Sequence, residues 1–270
     1  MPDAPAGATR AAGGPGVSGK LWCLLSGGKD SICAAHVLSR QGRLAGCVFI
    51  DTGIACPDTR PFVERLCGDQ GWDLRVYASP KRYEDLVMKY GFPRDLVGHS
   101  WAYGALKERA LRAAFHDLGP GTVFASGVRR RESKRRAMNV ARGFRHNYGI
   151  VIENPIQEWT NEGVWSYLRK NDLSVSPSYV ALGRSGDCLC GAFSHRREQA
   201  LIQAYYPEVA ARIRRLERSL DPAQHPFPTN RWGSSRSRGG FSLLDGQTTL
   251  EAVVCGGDCA DTPRPTEAPA

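Results

Sequence analysis

The stretch from Leu21 to Leu38 restricts this chain more than any other. A short apolar run, Leu21 to Leu25, stops at Ser26-Gly27-Gly28, and from Ser31 to Leu38 apolar residues recur at helical spacing. That order is a strand, a glycine turn and a helix. Gly27 and Gly28 let the backbone turn sharply and approach a ligand without a Cβ in the way. The amides that open the helix then face an anion at the positive end of the helix dipole. Lys29 adds charge and Ser26 and Ser31 add hydroxyls. The P-loop pattern G-x-x-x-x-G-K-[ST] is not met, because its first glycine is missing. As a strand-to-helix turn, the segment is expected to hold Lys29 and Asp30 at the surface.

The same alternation continues. Strand-like runs at Leu44 to Ile50, Leu74 to Ala78, Thr122 to Ala125 and Gly149 to Glu153 alternate with helical patterns near 60–67, 81–90, 102–115 and 161–170. Thr160 is placed to cap the last of these. The expected fold is α/β, a doubly wound parallel sheet covered on both faces, with ligands at the carboxyl ends of the strands. The domain reading is a leader over 1–19, rich in Ala, Gly and Pro and without an apolar core, then a nucleotide-binding domain over 20–175. A C-terminal cysteine-bearing appendage follows over 176–261, with loops after Leu173 and helices near 195–205 and 207–220, then a Pro-rich tail over 262–270. No run of about 18 apolar residues occurs, so a cytoplasmic protein without a membrane partner is expected.

The chain carries a formal charge of +9, which points to an anionic partner, either a polyphosphate or a nucleic acid. The charge is concentrated: six of the eight residues from Arg129 to Arg136 are Lys or Arg, and Arg142 and Arg145 follow. A solvated basic face is the plain alternative.

Of the nine cysteines, Cys23, Cys33, Cys47, Cys56 and Cys67 lie mainly among apolar neighbours and read as small buried hydrophobes. The other four form two close pairs beside glycines, Cys188-Leu189-Cys190-Gly191 and Cys255-Gly256-Gly257-Asp258-Cys259. Four converging thiolates suit either Zn²⁺ or a [4Fe–4S] cluster. The Cys-x-Cys spacing is tighter than that of zinc knuckles.

Ser26-Gly27-Gly28-Lys29-Asp30-Ser31 resembles the signature of the adenine-nucleotide α-hydrolase, or pyrophosphate-loop, group. Further segments resemble one branch of it, the phosphoadenosine-phosphosulfate reductase family: Val48 to Gly53 (VFIDTG), Ser126 to Ser133 (SGVRRRES), Asn154-Pro155-Ile156 with Trp159-Thr160, Val164 to Leu168 (VWSYL) and Ser176 to Tyr179 (SPSY). The resemblance runs from about residue 20 to 198. It implies an enzyme using an adenine nucleotide, with Lys29 and Asp30 in catalysis and Ser26, Gly27, Gly28, Lys29, Asp30 and Ser31 on the phosphates. Asp51, Thr52 and Gly53 would contact the nucleoside, and Gly127, Arg129, Arg130 and Arg136 would meet the anionic end. Asp30 would ligand Mg²⁺ if ATP is the substrate, or serve as a helix-start carboxylate. The iron–sulfur branches of the family favour a [4Fe–4S] cluster on Cys188, Cys190, Cys255 and Cys259, over zinc.

Sulfonucleotide reductases of this family end in a mobile Glu-Cys-Gly-Leu-His segment whose cysteine attacks sulfur, and this sequence has none. The function expected first is therefore an ATP pyrophosphatase-type sulfurtransferase. It would use ATP with Mg²⁺, adenylate an acceptor such as DNA or RNA, and draw sulfur from a donor such as a cysteine desulfurase. This resembles the iron–sulfur sulfurtransferases of nucleic-acid phosphorothioation. Sulfonucleotide reduction and a non-catalytic nucleic-acid-binding or nucleotide-sensing subunit are the alternatives.

Overall fold

Five runs of buried residues become strands because β-branched, aromatic and Leu side chains alternate to the two faces of a pleated ribbon. In this computed structural model they are β1 (Leu21–Leu24), β2 (Leu44–Asp51), β3 (Leu74–Ala78), β4 (Val123–Ala125) and β5 (Val151–Glu153). All pair in parallel, in the order β3-β2-β1-β4-β5. The structure describes residues 20–132, 149–192, 194 and 196–234. The leader over 1–19, the tail over 262–270, Arg136, Cys255 and Cys259 lie outside them.

Pleating sends neighbours to opposite sides. Cys23, Cys47, Phe49 and Ala125 face α1 (Lys29–Arg40), α2 (Thr59–Gln70) and a later helix, Asn161–Lys170, in one core layer. Val48, Phe124 and Ile152 face the helix Arg109–Leu118 in another. The sheet is thus covered on both sides, as a doubly wound fold requires. The chain order reverses between β1 and β4, so the switch-point crevice opens above the carboxyl ends of those two strands.

The remaining helices are α3 (Tyr83–Tyr90), α4 (Leu96–Tyr103), α5 (Arg109–Leu118), α6 (Asn161–Lys170), α7 (Pro177–Leu182), α8 (Arg196–Tyr205) and α9 (Pro207–Ser219). Thr160 caps α6 as expected, its hydroxyl accepting from the Gly163 amide at 3.1 Å. Two expectations need correcting. The helix placed at 102–115 starts at Leu96, because Asp95 caps it by accepting from the Gly98 amide at 2.8 Å. It then runs through a π segment, Gly104–Glu108, into α5. The stretch after Leu173, read as loops, holds α7, capped by Ser176 with Pro177 in its first turn.

Residues 176–234 form a further core with the loop after β2 and with α3, in which Ile54, Cys56, Tyr83 and Val87 pack against Leu189, Ile202, Ile213 and Trp232. Backbone bonds fasten the join: Cys56 N–H donates to Gly186 O, and Leu189 N–H to Ile54 O, both at 2.7 Å. Among the described residues no helix is long and apolar enough to cross a membrane.

Candidate functional site

The crevice predicted by the strand order is a cavity of about 370 Å³. Its base is the Ser26–Ser31 loop and the ends of β1 and β2, and the Ser126–Val128 turn after β4 closes one side. Within the loop, Gly27 has φ +82°, a conformation that favours glycine. Ser31 Oγ accepts from the Ser26 amide at 3.2 Å and donates to Gly28 O at 2.9 Å, so the two serines hold the turn. Gly127 makes a close approach of a different kind. A Cβ there would stand 2.5 Å from the Asp30 carbonyl carbon and 2.6 Å from the Ser31 amide nitrogen. Its part is to let the β4 turn pack on the first turn of α1.

Lys29 is 0% exposed, which corrects the expectation that it stands at the surface. A turn at the top of a sheet is surface only until another segment packs on it, and Ser176 and Ser185 pack on Gly27 and Gly28 just before Lys29. Lys29 Nζ lies 3.0 Å from Asp30 Oδ2, and Arg129 Nε, on a residue 3% exposed, lies 2.6 Å from Asp30 Oδ1. Asp30 therefore joins two buried cations and balances both. Arg130 is half-buried, with Nε 3.0 Å from Glu158 Oε1, an ion pair without the geometry of a directed hydrogen bond. Arg131 is exposed.

Asp51, Thr52 and Gly53 do not line this cavity; Val48, Phe49 and Ile50 do. Asp51 Oδ1 accepts from the Gly53 amide at 2.9 Å, and Thr52 Oγ1 donates to Asp187 O at 2.8 Å. The VFIDTG segment thus carries a turn and a tie to the cysteine segment.

The opposite wall comes from residues that the sequence did not single out. His99, Tyr103, Lys107 and Leu111, spaced by four, all line the cavity. In a regular α-helix such a row drifts around the axis; the wider π segment between α4 and α5 compensates and keeps it on one side. Lys107 Nζ reaches Asp187 Oδ2 at 2.5 Å, and Ser185 Oγ donates to Asp187 Oδ1 at 2.6 Å. Burial alone would raise the Asp187 carboxyl, but Lys107 and Ser185 outweigh it and hold it below the usual range.

Cys188 and Cys190 line the same cavity as the Ser26–Ser31 loop. Their backbone is fixed: Tyr83 Oη donates to Cys190 O at 2.8 Å, and Arg184, clamped on Glu198, donates to Cys188 O at 3.0 Å. A hydrogen bond from the Cys190 thiol, helped by the Lys107 ammonium, holds Cys188 below its ordinary value against its burial. The other described cysteines are buried. Burial pushes Cys23, Cys33 and Cys56 up to about 12. Among the described residues no group of three or more metal-ligating side chains occurs. Cys188 and Cys190 are the described thiols that could ligate a metal in this cavity.

The model of the phosphoadenosine phosphosulfate reductase domain matches residues 20–190, more than half of the chain and the whole of the sheet. The chain belongs to this family. Curated relatives of the phosphoadenosine phosphosulfate reductase family include the enzyme of that name from Xanthomonas axonopodis pv. citri, 30% identical over 165 residues that make up 58% of this chain and 66% of the relative. The one from Vibrio cholerae is 29% identical over 154 residues, 55% of this chain and 60% of the relative. The chain thus spans just under two thirds of the relatives it matches. Among solved structures it is similar to the PAPS reductase of Candida auris in a phosphate complex, with TM-score 0.46, 18% identity, and coverage of 61% of this chain and 78% of that one. It is also similar to the U34-tRNA thiolase NcsA of Methanococcus maripaludis with its [4Fe–4S] cluster, with TM-score 0.43, 14% identity, and coverage of 75% and 74%.

Proposed function

We propose that this chain is an adenine-nucleotide-dependent sulfur-transfer enzyme of the ATP pyrophosphatase type. The observation that carries the reading is that the Ser26–Ser31 loop and the Cys188–Cys190 pair line one cavity. A nucleotide held by its phosphates at the loop has its reacting end within a space that the thiols also face. The loop amides at the start of α1 bind the phosphates, and Lys29 and Arg129, oriented by Asp30, supply positive charge behind them. An acceptor oxygen attacks the α-phosphorus of ATP, supported by Mg²⁺. The bond to the β-phosphate oxygen breaks, pyrophosphate leaves with the electron pair, and the acceptor is adenylated. A reduced sulfur nucleophile then displaces AMP, forming the carbon–sulfur or phosphorus–sulfur bond.

Cys188 and Cys190, with Cys255 and Cys259 completing the set, are the residues that would hold a [4Fe–4S] cluster. Such a cluster, with a thiolate on each iron, would supply electron transfer. The acceptor class is nucleic acid, which the +9 charge favours, and the donor is a sulfur-carrying partner such as a cysteine desulfurase.

Reduction of a sulfonucleotide to sulfite is the second reading, favoured by the names of the curated relatives. One experiment separates the two. Protein purified without oxygen is analysed for iron and acid-labile sulfide, then given either ATP with Mg²⁺ and acceptor RNA or DNA, or PAPS with reduced thioredoxin. Iron and sulfide near four each, lost on Cys188→Ser or Cys190→Ser but not on Cys33→Ser, with AMP and pyrophosphate from ATP, is the expected outcome. Sulfite from PAPS without ATP turnover would replace the first reading with the second, and metal-free protein would remove the cluster from both.

A further inference from the structure

Behind the cysteine segment lies a second recess of about 530 Å³. Helices α8 and α9 form its walls through Gln199, Gln203 and Arg214, and the segment 227–234 closes it with Phe227, Arg231 and Trp232. The Trp232 indole, 1% exposed, separates this recess from the cysteine loop. Its Nε1–H donates to Leu189 O at 2.8 Å, and a Cβ on Gly191 would stand 2.7 Å from its Cδ1. Trp232, which lines the recess, thus packs on the loop whose Cys190 lines the nucleotide cavity, and this contact is the partition between the two spaces.

The rim has an unusual combination of groups. Phe227 is 75% exposed, a large ring that contributes nothing to the cores described above. Arg214 bonds Gln203 across the gap between the helices, and Arg231 is exposed. The lining carboxylate, Glu217, is already engaged: it accepts from the Trp232 amide at 3.0 Å and lies 3.6 Å from Arg231. Helix α9 carries Arg212, Arg214, Arg215 and Arg218 against Glu208 and Glu217, and Arg212 is held by Glu84. The outer face is cationic, with one aromatic plane beside guanidinium groups. Bases stack on such a plane whatever their identity, and cations beside it track a phosphate backbone.

We propose that this recess is a docking groove for a single-stranded segment of nucleic acid, with a base on Phe227 and phosphates at Arg214 and Arg231. The inference rests on the proposed function only in taking nucleic acid as the acceptor class. It adds where the acceptor is gripped: on the far side of the partition from the nucleotide, next to the cysteine loop.

The test is anisotropy of a fluorescent 12-nucleotide single strand, as RNA and as DNA, titrated with the full chain across a salt series. Phe227→Ala is expected to weaken binding about tenfold with the salt slope unchanged. Arg214→Ala with Arg231→Ala is expected to lower the salt slope by about 1.4, the amount for two phosphates of a single strand. Phe227→Tyr should retain affinity, which separates a lost platform from a lost fold. Equal affinity in all variants overturns the groove, and so does a loss seen only with Arg130→Ala, which would put the strand at the nucleotide cleft. Preference for duplex, or no binding of either polymer, overturns it as well. AMP release from ATP is measured on the same samples: AMP without strand binding here defeats the groove alone, and strand binding here without AMP defeats the sulfur-transfer reading alone.

Discussion

Arg129 meets Asp30 at 2.6 Å, Nε to Oδ1, and so ties the turn after β4 to the first turn of α1. With Lys29 Nζ donating to both carboxylate oxygens at 3.0 and 3.1 Å, one acid serves two cations that have little contact with water. Removing one member of a buried charged group costs more than the group contributes, because the survivors stay buried with one counter-charge fewer.

Asp30→Ala is therefore expected to destabilise the fold by about 3–5 kcal/mol, and also to remove nucleotide turnover. Asp30→Asn keeps the shape and one acceptor and should cost less. Urea unfolding followed by circular dichroism measures both. An unchanged midpoint in Asp30→Ala would show that the two cations are balanced elsewhere.

Gly127→Ala tests the packing of the β4 turn on α1. The added methyl would lie 2.5 Å from the Asp30 carbonyl carbon, which is backbone and cannot swing aside. Overpacking of this kind costs about 1–3 kcal/mol. Because the displaced atoms belong to the phosphate loop, nucleotide affinity should fall along with stability. Calorimetric titration with a non-hydrolysable ATP analogue beside thermal unfolding reads both, and loss of stability without loss of affinity would detach Gly127 from the site.

How much of this arrangement the sequence carried depends on the range of the interaction. Strand β3 at Leu74–Ala78 and helix α6 at Asn161–Lys170 fall where alternation and the Thr160 cap placed them, because those signals are local. The phosphate loop stands out for the same reason. The Ser176-Pro177 start of α7 was also local and was overlooked. The cavity's second wall was not legible: Lys107 and Asp187 are 80 positions apart, and the π segment that orients Lys107 leaves no mark in composition or period. The packing of Ser176 and Ser185 on Gly27 and Gly28 likewise joins positions some 150 residues apart.

Lys107→Ala should expose the dependence of Asp187 on that distant partner. Asp187 is held below its ordinary value in the folded chain, so its contribution is present above the unfolded value of about 3.9 and is lost as pH falls through the folded one. Without Lys107, burial acts alone and the charged form becomes unfavourable. The variant should be less stable than the parent at pH 7, and the gap should narrow as pH drops toward 4. A gap independent of pH would mean that Lys107 acts through packing only.

His36 gives a second pH signature, far from the cavity. Its Nδ1 lies 2.9 Å from Tyr167 Oη, and burial, aided by Arg40, lowers its pKa. Folding thus disfavours the protonated ring. Its contribution is full above the unfolded value of about 6.5 and is lost as pH falls through the folded one. Replacing His36 by Gln should flatten the stability profile between pH 7 and 5, measured by urea midpoints. A slope equal to the parent's would assign that pH dependence to other groups.

The bonds from Thr52 to Asp187, Cys56 to Gly186 and Leu189 to Ile54 make the segment bearing Cys188 an extra rung beside the loop after β2. Two ligands that meet opposite edges of such a rung exchange free energy in equal amounts: if a nucleotide at Ser26–Ser31 tightens whatever the thiols hold, that group must tighten the nucleotide by the same factor. Affinity for ATP measured with the thiols empty and with them loaded thus reports the coupling from one side, and the reciprocal measurement must return the same number.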